Sequence, residues 1–226
     1  MKQINGIVIF ALSMSLLTAR GDFVVQQRIE SPDQNGIQTL KFKGDQYRKD
    51  MPTARVGEVS IIQNIKTGTR IIMIHRQKAA RIESFPDLER EFGQTNNVGN
   101  EPGPKLVYTG KSERVGDYDA GIYAWTNNQG VVGTFWVATN YPHYSEFWSV
   151  IKKINQSPVG QLTKKTEPDT SALPGMVVKS KRETPAGEAT VTLISAKDEP
   201  VAASDFQIPG DYRVIGLPVT PGKGGQ

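Results

Sequence analysis

Two fragments of acyl-transfer chemistry occur in the chain. Lys66-Thr67-Gly68 and Ser149-Val150-Ile151-Lys152 match the Lys-Thr-Gly and Ser-x-x-Lys elements through which a lysine helps to activate a serine nucleophile. Their order is reversed, with the serine motif second, and no Ser-Asp-Asn accompanies them, so Lys66-Thr67-Gly68 reads as a hairpin turn. No Gly-x-Ser-x-Gly is present. The two histidines, His75 and His143, lack the His-Glu-x-x-His neighbourhood of a zinc site and read as structural or solvated. Asp45 and Asp50 flank Arg48, but Arg48 and Asp50 stand two apart on one strand and share a face, where an ion pair is the ordinary outcome rather than a pair of catalytic carboxylates. Cysteine is absent altogether, which removes thiol nucleophiles, cysteine-zinc sites, disulfides and lipid-bearing cysteine anchors together. The expectation is no catalytic residue, no metal site, no cofactor and no enzymatic activity.

The chemistry that remains is apolar binding, and aromatic residues would carry it. Ser84-Phe85-Pro86-Asp87 has the form of a helix N-terminus with an acid three residues on, followed by Phe85, Leu88 and Phe92 on one face. Ser145 is placed to cap a second helix carrying Phe147, Trp148, Ile151 and Ile154, with Lys152 and Lys153 turned to water. The bland account packs both stripes on a sheet. The sharper one makes them a movable cover over an apolar groove, with Phe85, Leu88, Phe147, Trp148 and Ile151 as the cover and Trp125 and Trp136 inside.

Strands must supply the groove. Phe23, Val25 and Ile29 alternate with Gln26, Arg28 and Glu30, the period-2 pattern of a half-buried strand. Leu40 and Phe42 alternate with lysines up to Gly44-Asp45, and Gln46 to Asp50 runs back. Ser60 to Ile65 and Thr69 to His75, then Lys105 to Val115, Tyr118 to Trp125 and Val131 to Ala138, and last Val177 to Thr184 and Glu188 to Ala196, bring the count to about ten. Connections are short and polar, which favours antiparallel hairpins in a mainly β, curved half-barrel with two short covering helices. Stretches 95–104 and 156–174, rich in Gly, Pro, Asn and Ser, read as loops.

Lys2, the apolar run Ile7 to Leu17 and the small-x-small pattern Ala19-Arg20-Gly21 have the order of a secretory signal peptide. The run is too short for a stable transmembrane anchor. The expected organisation is a signal over 1–21, one β-rich domain over 22–217 and a disordered tail over 218–226, with the protein periplasmic or secreted after cleavage. Of 27 basic residues against 23 acidic, Lys2 and Arg20 leave with the signal, so the mature chain is nearly balanced and nucleic acid is not an expected partner.

Several stretches form a recognisable series: Asp22 to Gln27, Lys43 to Pro52, Ile62 to Gly68 with His75 to Lys78, Gly116 to Tyr123, Leu173 to Met176, and Phe206 to Tyr212. Together they resemble a family of exported bacterial proteins, domain of unknown function 4412, distantly similar to periplasmic lipoprotein carriers and lipoprotein-sorting proteins. The resemblance implies an unclosed antiparallel half-barrel whose helices cover an apolar concave face, and a lipid or lipoprotein acyl chain as partner. No catalytic residue carries over, and the carrier's binding arginine does not transfer onto Arg48. The expected function is an exported binding module for a lipid or other apolar ligand. The alternative is an envelope interaction or structural protein, with a filled core, that docks another envelope protein.

Overall fold

The structure is a computed structural model that describes residues 22–95, 104–127, 131–142, 144–163, 168–170, 173–184 and 187–215. The expected signal and tail, residues 1–21 and 218–226, lie outside the described residues, as does His143. No described helix is long and apolar enough to cross a membrane.

Twelve strands form one open, curved sheet: β1 (Phe23–Glu30), β2 (Asn35–Lys43), β3 (Gln46–Thr53), β4 (Gly57–Asn64), β5 (Arg70–Ile74), β6 (Ala79–Glu83), β7 (Val107–Val115), β8 (Tyr118–Thr126), β9 (Val132–Ala138), β10 (Met176–Thr184), β11 (Gly187–Asp198) and β12 (Arg213–Ile215). Their order is β12-β6-β5-β4-β3-β2-β1-β11-β10-β9-β8-β7, antiparallel except for the short β12, which runs parallel to β6. The sheet thus has two strands more than the ten expected, β6 and β12. Helices are α1 (Phe85–Thr95), α2 (Tyr144–Gln156) and the short α3 (Pro158–Thr163), which falls in a stretch expected to be loop.

Alternation along β1 sends its side chains to two different cores. Phe23 and Val25 pack with Phe42 and with Phe147, Val150 and Ile154 of α2. Val24, between them, joins Ile62, Met73, Ala80, Val201 and Phe206 on the opposite face, beneath the C-terminal segment 199–212. The sheet is therefore covered by helix on one side and by an irregular strap on the other. Two register shifts bend it where α2 lies: between Gln26 and Gln27 opposite β11, and between Val177 and Lys179 opposite β9. Each inserts a residue into one strand, which increases local twist and re-aims the neighbouring side chains.

Lys66-Thr67-Gly68 is a turn, as expected. Asn64 Oδ1 accepts from the amides of Lys66 and Thr67 at 3.0 Å each, and Gly68 has a φ of +72° with no room for a side chain, since a Cβ there would meet Phe85 of α1 at 2.7 Å. The start of α1 also follows the sequence. Asp87 Oδ2 accepts from the Ser84 amide at 2.9 Å and from its hydroxyl at 2.6 Å. These bonds hold the Asp87 carboxyl below its ordinary value, with the nearby Arg90 adding to the effect. A depressed carboxyl stabilises the fold above its unfolded value and loses that contribution as pH falls through the folded one. Wild-type protein is therefore expected to lose more thermal stability than Asp87→Asn between pH 6 and about pH 3; equal losses in melts of the two proteins count against the cap.

Candidate functional site

Helix α2 carries two apolar stripes with different tasks. Phe147, Val150 and Ile154 point into the core, where the Phe147 ring stands 5.9 Å from Phe23 and 6.1 Å from Phe42. Tyr144, Trp148 and Ile151, spaced four and three apart, form the neighbouring stripe. Beneath that stripe and Phe147 lies a partly open cavity of about 180 Å³, lined also by Gln27 of β1, by Met176 and Val177 of β10, and by Thr170 and Gly175. Tyr144 braces the rim: its hydroxyl donates to the Leu173 carbonyl at 3.1 Å and its ring stacks on Trp148 at 6.0 Å. Burial raises its phenol above the ordinary value. Gly175 approaches Ala138 so closely that a Cβ would sit 2.2 Å from the Ala138 carbonyl oxygen, which lets the rim seat against β9.

Among the described residues, the lining includes no Lys, Arg, His, Asp or Glu. Its polar side-chain groups there are the Tyr144 hydroxyl, the Trp148 indole N–H, Gln27 and Thr170. Such a surface gains by excluding water. The volume is slightly larger than the roughly 150 Å³ of an apolar cavity that takes up benzene, and so suits a ring or a length of single chain.

Of the residues singled out in the sequence, Phe147, Trp148 and Ile151 meet at this cavity. Phe85 and Leu88 are placed elsewhere: Leu88 is fully buried, and Phe85 lies against the Gly68 turn. Trp125 is buried beside Phe135 and against Gly133, with the Arg182 guanidinium 5.8 Å from its ring. Trp136 packs with Ala138, Met176 and Val178, but its Nε1 donates to Glu113 Oε2 at 2.8 Å and Lys179 Nζ stands 4.4 Å over its ring. It thus faces a separate polar groove with Lys181, Glu188, Thr190 and Thr192. Gln27, Thr170, Gly175, Met176 and Val177 were not singled out. Their convergence depends on the two register shifts, which no sequence periodicity announces.

On the strap side a polar network joins β3, β4 and β5 to the C-terminal segment. Arg48 donates to Asp50 Oδ1 at 2.7 Å, to the Asp205 carbonyl at 2.7 Å and to Ser60 Oγ at 3.1 Å. Ser60 is fully buried and donates its proton to Asp50. In the neutral imidazole, His75 Nε2 therefore carries the proton toward Ser60 at 2.6 Å, while Nδ1 accepts from Tyr212 at 2.6 Å. This is the reverse of an activated nucleophile, whose proton must go to the histidine. Asp50, Glu58 and His75 offer ligand atoms within 4.8 Å of one another. A cation there would have to displace Arg48 from Asp50, or Ser60 or Tyr212 from the imidazole. The arrangement is that of a clasp.

Residues 23–212 match the family model of a domain of unknown function (DUF4412). Among curated proteins, none matches. Solved structures give the fold. An uncharacterized conserved protein from Thermus thermophilus superimposes with a TM-score of 0.54 at 6% identity, over 88% of this chain and 91% of that one. The lipoprotein LppX of Mycobacterium tuberculosis is similar over 80% of this chain and 88% of its own, with a TM-score of 0.44 at 11% identity.

Proposed function

The chain belongs to the DUF4412 family, and on that premise we propose that it is an exported binding module that holds an apolar ligand, a lipid chain or a ring of similar bulk, beneath α2. The observation that carries the reading is the cavity of about 180 Å³, whose described lining residues are uncharged, built from one stripe of a helix whose other stripe anchors it in the core. Each buried methylene contributes about 0.8 kcal/mol, so a few suffice for measurable affinity without any reactive side chain. Naphthalene, followed by its own fluorescence, is expected to bind saturably at one site and to be displaced by 1-octanol. Absence of saturable uptake would remove the reading. Export rests on the Lys2 to Gly21 pattern, and cell fractionation that finds the protein in the cytoplasm with residues 1–21 attached counts against it.

The alternative, docking of another envelope protein, is favoured by β7. This edge strand is exposed along almost its whole length, with Val107 and Tyr108 open to solvent. It predicts crosslinks to a protein partner through residues 107–114 and indifference to apolar ligands.

A further inference from the structure

The cavity wall carries an amide side chain, Gln27, that the apolar reading leaves unused. Gln27, on its wall, accepts a hydrogen bond from Gln38 Nε2 at 2.7 Å across the β1–β2 ladder, where the two residues are register partners. Gln38 is buried, and its own Oε1 has no partner. Exchanging oxygen and nitrogen in both amides only reverses the bond and leaves a buried amide nitrogen in the same place. Evenly alternating apolar residues would have filled these two positions at no such cost, since an unsatisfied buried amide is among the expensive features of a core. Of the two, Gln27 is the one on the cavity wall, and its amide can still donate through Nε2 and accept a further bond at Oε1.

We propose that the ligand is a single-chain amphiphile with an uncharged head that both donates and accepts a hydrogen bond, a hydroxyl or a group of the same capacity, and that Gln27, held by its bond to Gln38, reads that head. The inference rests on the cavity reading above and adds the chemistry of the ligand's polar end. An acceptor-only head leaves the second acceptor site of the Gln27 oxygen unmet. An ionised head meets no opposite charge among the described lining residues and loses its hydration there without compensation. The volume holds one chain rather than two.

The test uses two isomers of one composition, 1-octanol and 1-methoxyheptane, with octanoate at pH 8 as the charged head, each displacing naphthalene from the full protein. Octanol is expected to bind about ten-fold tighter than the ether, and octanoate more weakly than either. In Gln27→Met/Gln38→Met the advantage of octanol over the ether falls to about two-fold or less, while naphthalene affinity is retained. Equal binding of the two isomers to the wild type, or an octanol preference that survives the double substitution, overturns the inference and leaves the cavity reading standing. Failure of naphthalene to bind at all removes both.

Discussion

Ile151→Trp is expected to reduce naphthalene affinity more than ten-fold while moving the melting temperature by only a few degrees. Ile151 lies on the outer stripe of α2 and is half-buried, so a larger side chain there meets the cavity before it meets the core. An indole occupies much of a space of about 180 Å³, and what it fills the ligand cannot. Strain should stay small, because overpacking costs of about 1–3 kcal/mol arise where the surroundings are already close-packed, and this wall borders open volume. Phe147 would be the wrong residue to test. Its ring sits between Phe23 and Phe42 as well as on the cavity, so truncation would mix loss of binding with loss of the core. Titration with naphthalene and a thermal melt on the same sample decide the matter. Unchanged affinity in a folded Ile151→Trp protein places the binding site elsewhere.

The difference between the two stripes also shows how far the sequence could lead. Phe147, Trp148, Ile151 and Ile154 are legible as an apolar helix face, and Lys152 and Lys153 are exposed as their spacing requires. Which stripe meets the core and which a cavity depends on what lies opposite, and that is set by β1 and β2, about a hundred residues earlier, together with β10. Strand β1 is similar: the alternation of Phe23, Val25 and Ile29 gives its buried face, and by the same alternation Gln27 belongs to that face. Its partners do not follow from the alternation, because the shift opposite β11 inserts a residue on the other strand. Strand β6 escaped notice because Ala79 and Ala80 have weak strand preference and only the turn at 75–77 separates it from β5. The three-residue β12 exists by virtue of its pairing with β6 and has no local signature. Helix α3 did carry one, Ser157 before Pro158, and the Ser157 hydroxyl accepts from the Gly160 amide at 3.1 Å.

The clasp on the other face yields the largest expected stability change. Arg48→Met keeps much of the aliphatic stem but removes three hydrogen bonds at once, to Asp50, to Ser60 and to the Asp205 carbonyl. Asp50 is left with the Ser60 hydroxyl as its remaining bond, and both members of the ion pair are only 17% exposed, so little water replaces the guanidinium. Removing one partner of a pair this enclosed costs about 3 kcal/mol, which for a domain of this size lowers the melting temperature by roughly 6–12 °C. The position of the loss matters more than its size. Because Arg48 holds the Asp205 carbonyl, and Val201 and Phe206 of the strap pack in the same core as Ile62 and Met73, the substitution should free segment 199–212 ahead of the sheet. Hydrogen exchange resolved by peptide should therefore accelerate first in 199–212, while β1 and β11 retain their protection. Uniform acceleration across the sheet would mean that Arg48 contributes to the fold as a whole and does not fasten the strap, and a melting temperature within about 2 °C of the wild type would mean that the charge pair is replaced there without consequence.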